Sequence, residues 1–181
     1  VVASGDAVRR ILTDAGVITA RVRDGEPEID LQPPRGLQPD VGIARLVDEE
    51  RMGFVDTGVP HLVVRSRDLR AVEVGLRGPE LRFHETMTSG ANVNWVAPDG
   101  SGGWLMRTYE RGVEAETLAC GTGAVACAVV LSAWGETGAV TRLQTRSGRI
   151  LTVTNRASAA GSSWSLAGEG RIVFEGVIRE V

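Results

Sequence analysis

The most informative segment of the chain is residues 120–134, which read Cys-Gly-Thr-Gly-Ala-Val-Ala-Cys-Ala-Val-Val-Leu-Ser-Ala-Trp. From Thr122 to Trp134 the residues are almost entirely Ala, Val, Leu and Cys, so no polar face is present. A segment that is this short and apolar on all sides is typical of a buried core helix and not of a membrane span. The sequence therefore predicts a central helix over residues 122–134, enclosed by the rest of the chain.

Short apolar runs, divided by Gly, Pro and Asp, lie on both sides of this helix. Alternation over residues 17–23, then Asp24-Gly25 and residues 28–31, predicts a β-hairpin. Ser147-Gly148 predicts a tight turn between two strands. Further strands are predicted at residues 53–56, 62–66, 92–97, 104–109, 140–146, 149–154, 163–167 and 171–178. The pattern indicates a strand-rich α+β protein.

Two other segments bear on the organisation of the chain. Residues 68–84 space four apolar side chains at helical intervals and predict a second helix, which Gly78-Pro79 should break or restart. The four side chains are Leu69, Val72, Leu76 and Phe83. Pro33-Pro34-Arg35-Gly36 is stiff and poor in backbone donors, so it is the best candidate for a linker or a crossing between domains.

Composition excludes several kinds of chemistry. The chain has 181 residues, 20 basic and 23 acidic, and all 20 basic residues are arginine. Without lysine there is no Schiff base with pyridoxal phosphate and no Walker-type phosphate loop. A net charge of −3 without a basic cluster argues against a nucleic-acid partner. No apolar run is long enough to span a membrane, so a cytoplasmic location is expected.

Metal and nucleotide sites are also disfavoured. Two cysteines and two histidines stand at no ligand-like spacing. Residues 121–126, Gly-Thr-Gly-Ala-Val-Ala, resemble a dinucleotide-binding fingerprint, but the residues before them are polar and not an apolar strand. Thr141 also stands where an acidic ligand for a ribose would be expected.

Cys120 is the strongest candidate for chemistry because it stands where the central helix begins. Free N–H groups and the positive end of the helix dipole stabilise anions there. We therefore expect the pKa of the Cys120 thiol to be lowered, and the N–H groups of Gly121, Thr122 and Gly123 to be available to a carboxylate. A thiol base beside a bound carboxylate suggests proton abstraction next to a carboxyl group. Cys127, two turns further along, is predicted to be an inert core residue.

Other polar residues are weak candidates when each is taken alone. His61 begins an apolar strand, and a lone histidine is most often structural. Asn92 and Asn94 share one face of a predicted strand, where unpaired amides are costly and often face a polar ligand. Glu110 and Arg111 at a strand end would ordinarily be a solvated corner.

Three motifs nevertheless occur in the order and spacing of one known family. They are Thr57-Gly58-Val59-Pro60-His61, Gly90-Ala91-Asn92-Val93-Asn94, and Tyr109-Glu110-Arg111-Gly112 followed by Glu116-Thr117-Leu118-Ala119-Cys120-Gly121-Thr122-Gly123-Ala124. On these motifs the chain resembles the diaminopimelate epimerase family, and the last motif is the most specific. The resemblance covers nearly the whole chain and includes a terminal strand that ends at residues 173–176. Val59 stands where the family often has an asparagine that holds the distal end of the substrate.

The resemblance implies two pseudo-symmetric α+β domains, each a curled sheet around a central helix, with the active site between them. It implies that residues 1–36 and 168–181 belong to an incomplete first domain and that residues 37–167 form the second. The implied reaction interconverts LL- and meso-diaminopimelate, in lysine and cell-wall synthesis, with two cysteines and no cofactor. A small amino-acid substrate is the implied partner, and a homodimer is compatible with the resemblance.

Roles for individual residues follow from the same resemblance. Cys120 would be one of two acid/base thiols, Glu110 would polarise it, and His61 would assist the other cysteine. Gly121 and Thr122 would hold the reacting carboxylate. The distal end of the substrate would be bound by Asn92 and by the bidentate fork of Arg111.

The second thiol of the family stands in a Cys-Gly-Asn-Gly turn that this sequence does not contain. Cys127 cannot replace it, because seven residues of helix place it about 10.5 Å along the same axis from Cys120. We therefore expect a fragment or an N-terminally truncated form with one of the two thiols. The alternatives are another two-thiol enzyme, similar to proline racemase or phenazine isomerase, and a catalytically inactive carboxylate-binding fragment.

Overall fold

The computed structural model describes residues 8–14, 16–23, 25–158 and 161–177. Within these ranges the chain alternates short strands with two helices. In chain order the elements are β1 Arg9–Thr13, β2 Gly16–Arg23, β3 Glu26–Asp30, β4 Arg35–Gln38, β5 Glu49–Asp56, β6 Pro60–Ser66, α1 Val74–Arg82, β7 Asn92–Pro98, β8 Trp104–Glu110, β9 Ala115–Thr117, α2 Gly121–Ala133, β10 Val140–Gln144, β11 Ile150–Ser158 and β12 Gly161–Gly168.

All of these strands belong to one mixed sheet. Its order is β1-β2-β3-β12-β11-β10-β8-β7-β6-β5-β4, and β9 pairs with β8 outside this path. Two neighbouring pairs, β6 with β7 and β8 with β10, are parallel, and the others are antiparallel. The parallel pairs are the ones that require crossover connections, and the two crossovers contain α1 and α2. The architecture is therefore α+β, as the sequence predicts.

The sheet curls around α2, which is apolar on every side. Its residues from Gly123 to Leu131 are all buried. Side chains from seven strands pack with this helix in one core cluster, and they include Val55, Val63, Val96, Met106, Leu143, Val153 and Trp164. Burial on all sides explains why the helix has no polar face, since every position meets another apolar side chain. The prediction of a buried central helix at residues 122–134 is confirmed to within one residue at each end.

A second core lies on the opposite face of the sheet, beneath α1. Met52, Leu62, Val64, Leu81 and Trp95 are fully buried in it. Strand β6 therefore sends His61 and Val63 toward α2 and Leu62 and Val64 toward α1, because side chains alternate along a strand. Both faces of the central strands are covered, which explains why β6 and β7 consist mainly of buried residues.

A buried ionic cluster ties the strands at the other end of the sheet together. Glu28 on β3 accepts hydrogen bonds from Arg21 on β2 (2.8 Å), and from Arg156 on β11 (2.6 Å) and Ser165 on β12 (2.5 Å). The hydrogen bond from Arg21, with those from Arg156 and Ser165, lowers the pKa of Glu28 to about 2. A carboxylate this deeply buried is tolerated because it is paired on every side.

Most of the predicted strands are present. The hairpin of β2 and β3 is confirmed, although Asp24 of its turn lies outside the described residues. Gly148, at φ +81°, closes the predicted tight turn, and its N–H donates to the carbonyl of Thr145. The sequence did not predict β1, β4 or β9, which are three to five residues long and lack an alternating pattern. Short strands of this kind form because a neighbouring strand is available for pairing.

Three predictions about regular structure were wrong. No strand forms at residues 171–177, whose apolar side chains are exposed, Phe174 by 83%; Ile178 lies outside the described residues. The predicted linker or crossing at residues 33–36 is too long, since Arg35 and Gly36 begin β4 and Arg35 pairs with Asp56 of β5. The second helix begins at Val74, not at residue 68, and it continues through Pro79.

Packing explains why α1 is not broken at Gly78-Pro79. Val74, Gly78 and Leu81 are buried against the sheet, and Gly78 lies so close to Tyr109 that a Cβ there would approach the Cβ of Tyr109 to 2.9 Å. This burial offsets the missing N–H of Pro79. The helical spacing itself was misleading, because Leu76 and Phe83 are exposed.

At the two prolines the chain passes from an interior strand of the sheet to its far edge. It leaves β3, which pairs with β12, and enters β4, which is the last strand at the other edge. The division into residues 1–36 with 168–181 and residues 37–167 remains a prediction. Within the described residues, neither α1 nor α2 is long and apolar enough to cross a membrane.

Candidate active site

The predicted site residues come together where several elements begin or end. Cys120 is the N-cap of α2, and His61 is the second residue of strand β6. His61 pairs in register with Asn92 at the start of β7. Glu110 ends β8, and Arg111 follows it in the turn to β9. The sheet order β8-β7-β6 makes these strand ends neighbours, and the curl of the sheet sets them beside the N-terminus of α2.

The Cys120 sulfur caps the first turn of α2. The N–H of Gly123 donates to Sγ at 3.3 Å, and the Thr122 hydroxyl lies 3.6 Å from Sγ. A thiol here takes the place usually held by the oxygen of Ser, Thr, Asp or Asn. The N–H of Gly123 is therefore already used by Cys120. For the N–H of Gly121, in contrast, the described residues provide no acceptor.

The environment raises the pKa of the Cys120 thiol, so the expectation of a lowered pKa was wrong. Burial is the largest cause, because the residue is only 9% exposed and a thiolate would lose its hydration. The hydrogen bonds from Thr122 and Gly123 lower the pKa but do not offset burial, and the negative charge of Glu110 raises it further. Cys120 therefore carries its proton at neutral pH, beside two donors that would stabilise a thiolate once it forms.

His61 connects β6 to the same turn of α2. Its side chain is 0% exposed, with Nε2 3.1 Å from the Thr122 hydroxyl and Nδ1 3.1 Å from the amide nitrogen of Asn94. Burial lowers the pKa of His61 to about 4; the charge of Arg111 lowers it further and that of Asp56 opposes this. The imidazole is therefore neutral at physiological pH. A further hydrogen bond fixes the position of Thr122, since the Thr57 hydroxyl donates to its carbonyl at 3.0 Å.

Asn92 joins the strand end at β6 to the turn that carries Arg111. Its Oδ1 accepts the N–H of Arg111 at 2.8 Å, and its Nδ2 donates to the carbonyl of Pro60 at 3.4 Å. The guanidinium of Arg111 donates to the carbonyl of Ser89 at 2.9 Å. The amide of Asn92 is thus occupied by backbone groups, and its direct effect is to fix the position of Arg111.

The turn between β8 and β9 is shaped by a residue with a left-handed conformation. Gly112 and Glu114 have φ values of +91° and +58°, and no other residue with a side chain has a positive φ in the described part of the chain. A positive φ is unfavourable for glutamate, so local interactions must hold it. The Glu114 carboxylate accepts the N–H of Gly112 at 2.9 Å and pairs with Arg82 at 3.2 Å. These bonds hold the turn that carries Glu110 and Arg111.

The structure therefore links the predicted residues to different degrees. Cys120, Thr122 and His61 form one hydrogen-bonded chain, and Asn92 contacts Arg111 directly. Glu110 acts on Cys120 through its charge. Sequence reasoning quoted Thr57 in a motif without giving it a role, and it missed Thr108, whose hydroxyl donates to Asn94 Oδ1 at 3.0 Å. The one available signal was the pair of asparagines two residues apart, which share a strand face.

Cys127 is a core residue, as predicted. Its side chain is 0% exposed, and burial raises the pKa of its thiol well above the usual value. In the described part of the chain no group of three His, Cys, Asp or Glu side chains is placed to hold a metal ion.

The buried histidine predicts a specific dependence of stability on pH. The pKa of His61 is about 4 in the folded chain and about 6.5 when unfolded, so below pH 6.5 the unfolded chain binds the extra proton. The free energy of unfolding should therefore decrease by about 2 kcal/mol more in the wild type than in His61→Gln when the pH falls from about 7.5 to about 5. Urea unfolding at the two pH values measures this difference. Equal losses in the two proteins would contradict a neutral buried imidazole.

Known proteins resemble the chain over the segment that carries these residues. The family model for diaminopimelate epimerase matches residues 53–165, which include every residue of the site. The chain is 50% identical over 179 residues to a diaminopimelate epimerase of Gemmatimonas aurantiaca, covering 93% of this chain and 64% of that protein. The chain thus spans less than two thirds of this relative's length.

Solved structures show the same fold at low sequence identity. A PhzF-family phenazine biosynthesis protein of Bacillus anthracis has a TM-score of 0.70 at 13% identity, covering 91% of this chain and 66% of that one. A hydroxyproline epimerase of Agrobacterium vitis has a TM-score of 0.67 at 22% identity, covering 90% and 56%. These two likenesses concern the fold alone. The match of the family model over more than half of the chain is what decides membership, and the protein belongs to the diaminopimelate epimerase family.

Proposed function

We propose that the protein acts as a cofactor-independent amino-acid epimerase that interconverts LL- and meso-diaminopimelate, with Cys120 as one of two acid/base thiols. The observation that carries this proposal is the setting of Cys120 as N-cap of α2, with the Thr122 hydroxyl and the Gly123 N–H directed at its sulfur. A thiol that is protonated at rest and has donors ready for its thiolate is suited to deliver a proton.

The reaction needs no net oxidation or reduction. A base on one face of the α-carbon removes its proton, the electron pair is held by the adjacent carboxylate group, and an acid on the other face returns a proton. In this scheme the Cys120 S–H bond breaks as the new C–H bond forms. The thiolate left behind keeps the hydrogen bonds from Thr122 and Gly123, which are strongest to a charged acceptor. The negative charge of Glu110 raises the pKa of the Cys120 thiol and so favours the return of a proton from solvent to the sulfur after turnover.

The substrate carboxylate is proposed to bind at the N-terminus of α2. The N–H of Gly121 points from the first turn of the helix, where the dipole favours negative charge. The guanidinium of Arg111, placed by Asn92, would bind the distal carboxylate of the substrate as a bidentate partner. A substrate with a charged group at each end fits this arrangement better than a small monocarboxylate does.

The second thiol is proposed to come from outside these 181 residues. The two cysteines of the sequence lie on the same helix, and Cys127 is enclosed in the core. Two acid/base groups must stand on opposite faces of one carbon, which Cys120 and Cys127 cannot do. This same observation favours a second candidate function, a carboxylate-binding module that holds the amino acid without inverting it.

Exchange of the α-proton in deuterated water distinguishes these functions. With the 181-residue chain alone and diaminopimelate as the probe, we expect deuterium to enter the α-position of one epimer without inversion. Mass spectrometry measures the label, and chiral chromatography measures the two epimers. Binding without exchange would identify the inactive module. Complete epimerisation by this chain alone would contradict the requirement for an external second thiol.

A further inference from the structure

Asn94 is a buried polar residue that the proposed reaction does not use. It lies on β7, is 0% exposed, and faces α2 beside His61. Its Nδ2 donates to the carbonyl of Leu62 and to Nδ1 of His61, each at 3.1 Å. Its Oδ1 accepts from the Thr108 hydroxyl at 3.0 Å. Both hydrogens of the NH₂ group and the oxygen of this amide therefore have a partner, as a buried amide requires.

The carbonyl of Leu62 fixes the orientation of the amide. A backbone carbonyl can only accept a hydrogen bond, so the atom of Asn94 that faces it must be the NH₂ group and not the oxygen. The second hydrogen of the same NH₂ group then points at Nδ1 of His61, which must accept it with a lone pair. Nδ1 therefore carries no proton, and the proton of the neutral ring is on Nε2.

We propose that Asn94 is a positioning residue that holds His61 in its Nε2–H tautomer and so leaves the Thr122 hydroxyl free to donate to the sulfur of Cys120. In this arrangement Nε2–H donates to Thr122 Oγ1 at 3.1 Å. The hydroxyl oxygen acts as the acceptor from His61, and its own hydrogen is then available to Cys120 Sγ at 3.6 Å. The opposite tautomer would turn Nε2 into an acceptor and draw the hydroxyl hydrogen away from the sulfur.

The charged groups near the ring do not determine the tautomer of His61. Asp56 at the end of β5 and Arg111 in the turn after β8 act on His61 with opposite signs. Neither makes a hydrogen bond to a ring nitrogen, since the described partners of Nδ1 and Nε2 are Asn94 and Thr122. Thr122 cannot choose the tautomer, because a hydroxyl both donates and accepts. Of these neighbours, only the Asn94 amide is fixed as a hydrogen-bond donor toward the ring.

Nuclear magnetic resonance of ¹⁵N-labelled histidine tests the tautomer directly. The chain has two histidines, so the variant His84→Gln assigns the remaining signals to His61. At neutral pH the wild type should show a protonated, pyrrole-type Nε2 and an unprotonated, pyridine-type Nδ1 for His61. A protonated Nδ1, or averaging between the two forms, would overturn the proposal. Only the role given to the Cys120 sulfur rests on the proposed function. The tautomer of His61 is measured independently, so an inactive chain would still confirm or reject the role of Asn94.

Two variants then identify Asn94 as the cause. Asn94→Asp places a carboxylate opposite Nδ1, and the signals should exchange, with Nδ1 becoming the protonated nitrogen. Thr122→Val removes the acceptor of Nε2–H but keeps Asn94, and the wild-type tautomer should persist. If Asn94→Asp does not fold, Thr122→Val still decides, because a mixed tautomer there would assign the control to Thr122 and reject Asn94.

Thr108→Val is the matched control for damage to the buried network. It removes the hydroxyl bonded to Asn94 Oδ1 and leaves the contact with the Leu62 carbonyl intact. The His61 signals should keep the wild-type pattern, even though a buried hydrogen bond is lost. A scrambled tautomer in this variant would show that any disturbance has the same effect, and it would overturn a specific role for Asn94.

Discussion

Replacing Cys120 with alanine should abolish exchange of the α-proton by this chain, and epimerisation wherever the chain is combined with the second thiol. Proton transfer by a positioned side chain contributes about 10² to 10⁴ in rate, and an inversion has no alternative donor on the Cys120 face once the thiol is lost. The loss should appear in kcat, because Gly121 and Arg111 remain to bind the two ends of the substrate. Circular dichroism or chiral chromatography of the product measures the reaction.

Two further variants make this test specific. Cys120→Ser keeps an N-cap oxygen for the Gly123 N–H, so the fold should be retained while the activity is lost. Cys127→Ala removes the other thiol from the core, where it is 0% exposed, and the reaction should continue. Full activity in Cys120→Ser would reject Cys120 as a proton donor. Loss of activity in a folded Cys127→Ala would reject the assignment of Cys127 as an inert residue.

The large features of the fold were predictable from the sequence because they depend on local pattern. Residues 122–134 are apolar at every position, and such a segment must be enclosed wherever the chain allows it. The apolar runs of β6, β7 and β8 also predicted these strands to within two residues at each end. Elements at the edges were harder to predict. β1 and β4 form because β2 and β5 offer them partners, which no local pattern reveals.

The helix α1 shows how tertiary contacts override a local signal. Gly78-Pro79 is a strong helix-breaking pair, yet the buried contact between Gly78 and Tyr109 favours an unbroken helix. The apolar spacing of residues 68–84 was equally deceptive, since Leu76 faces outward. At residues 171–177 a local signal for a strand was present, but the tertiary contacts that a strand needs were not found among the described residues. Their apolar alternation predicts a strand, and no described strand pairs with them.

The candidate site was predictable as a set of residues but not as an electrostatic environment. The helix N-terminus at Cys120 was evident from the Gly-Thr-Gly turn, and its effect on the thiol pKa was expected to dominate. Burial, which depends on how the whole sheet curls, reverses the direction of the shift. The bond from His61 to Thr122 joins residues 61 positions apart in the sequence and could not be read from spacing. Long-range packing therefore decides which protonation states the site uses.

Gly123→Ala should damage both the stability and the chemistry of the site. A Cβ at this position would overlap Asn94 Oδ1 and would lie 3.0 Å from Met106 Cε and 3.1 Å from Cys120 Sγ. Overpacking of this kind costs about 1–3 kcal/mol, and Asn94 cannot move away without losing its bonds to His61 and Leu62. We therefore expect a lower free energy of unfolding together with loss of activity.

Gly75→Ala is the matched control, because a Cβ at this helical position in α1 meets no atom within 4 Å and alanine is the better helix former. Urea unfolding should show a gain of up to about 1 kcal/mol for Gly75→Ala. A Gly123→Ala protein as stable as the wild type would contradict the close contact between the first turn of α2 and the side chain of Asn94.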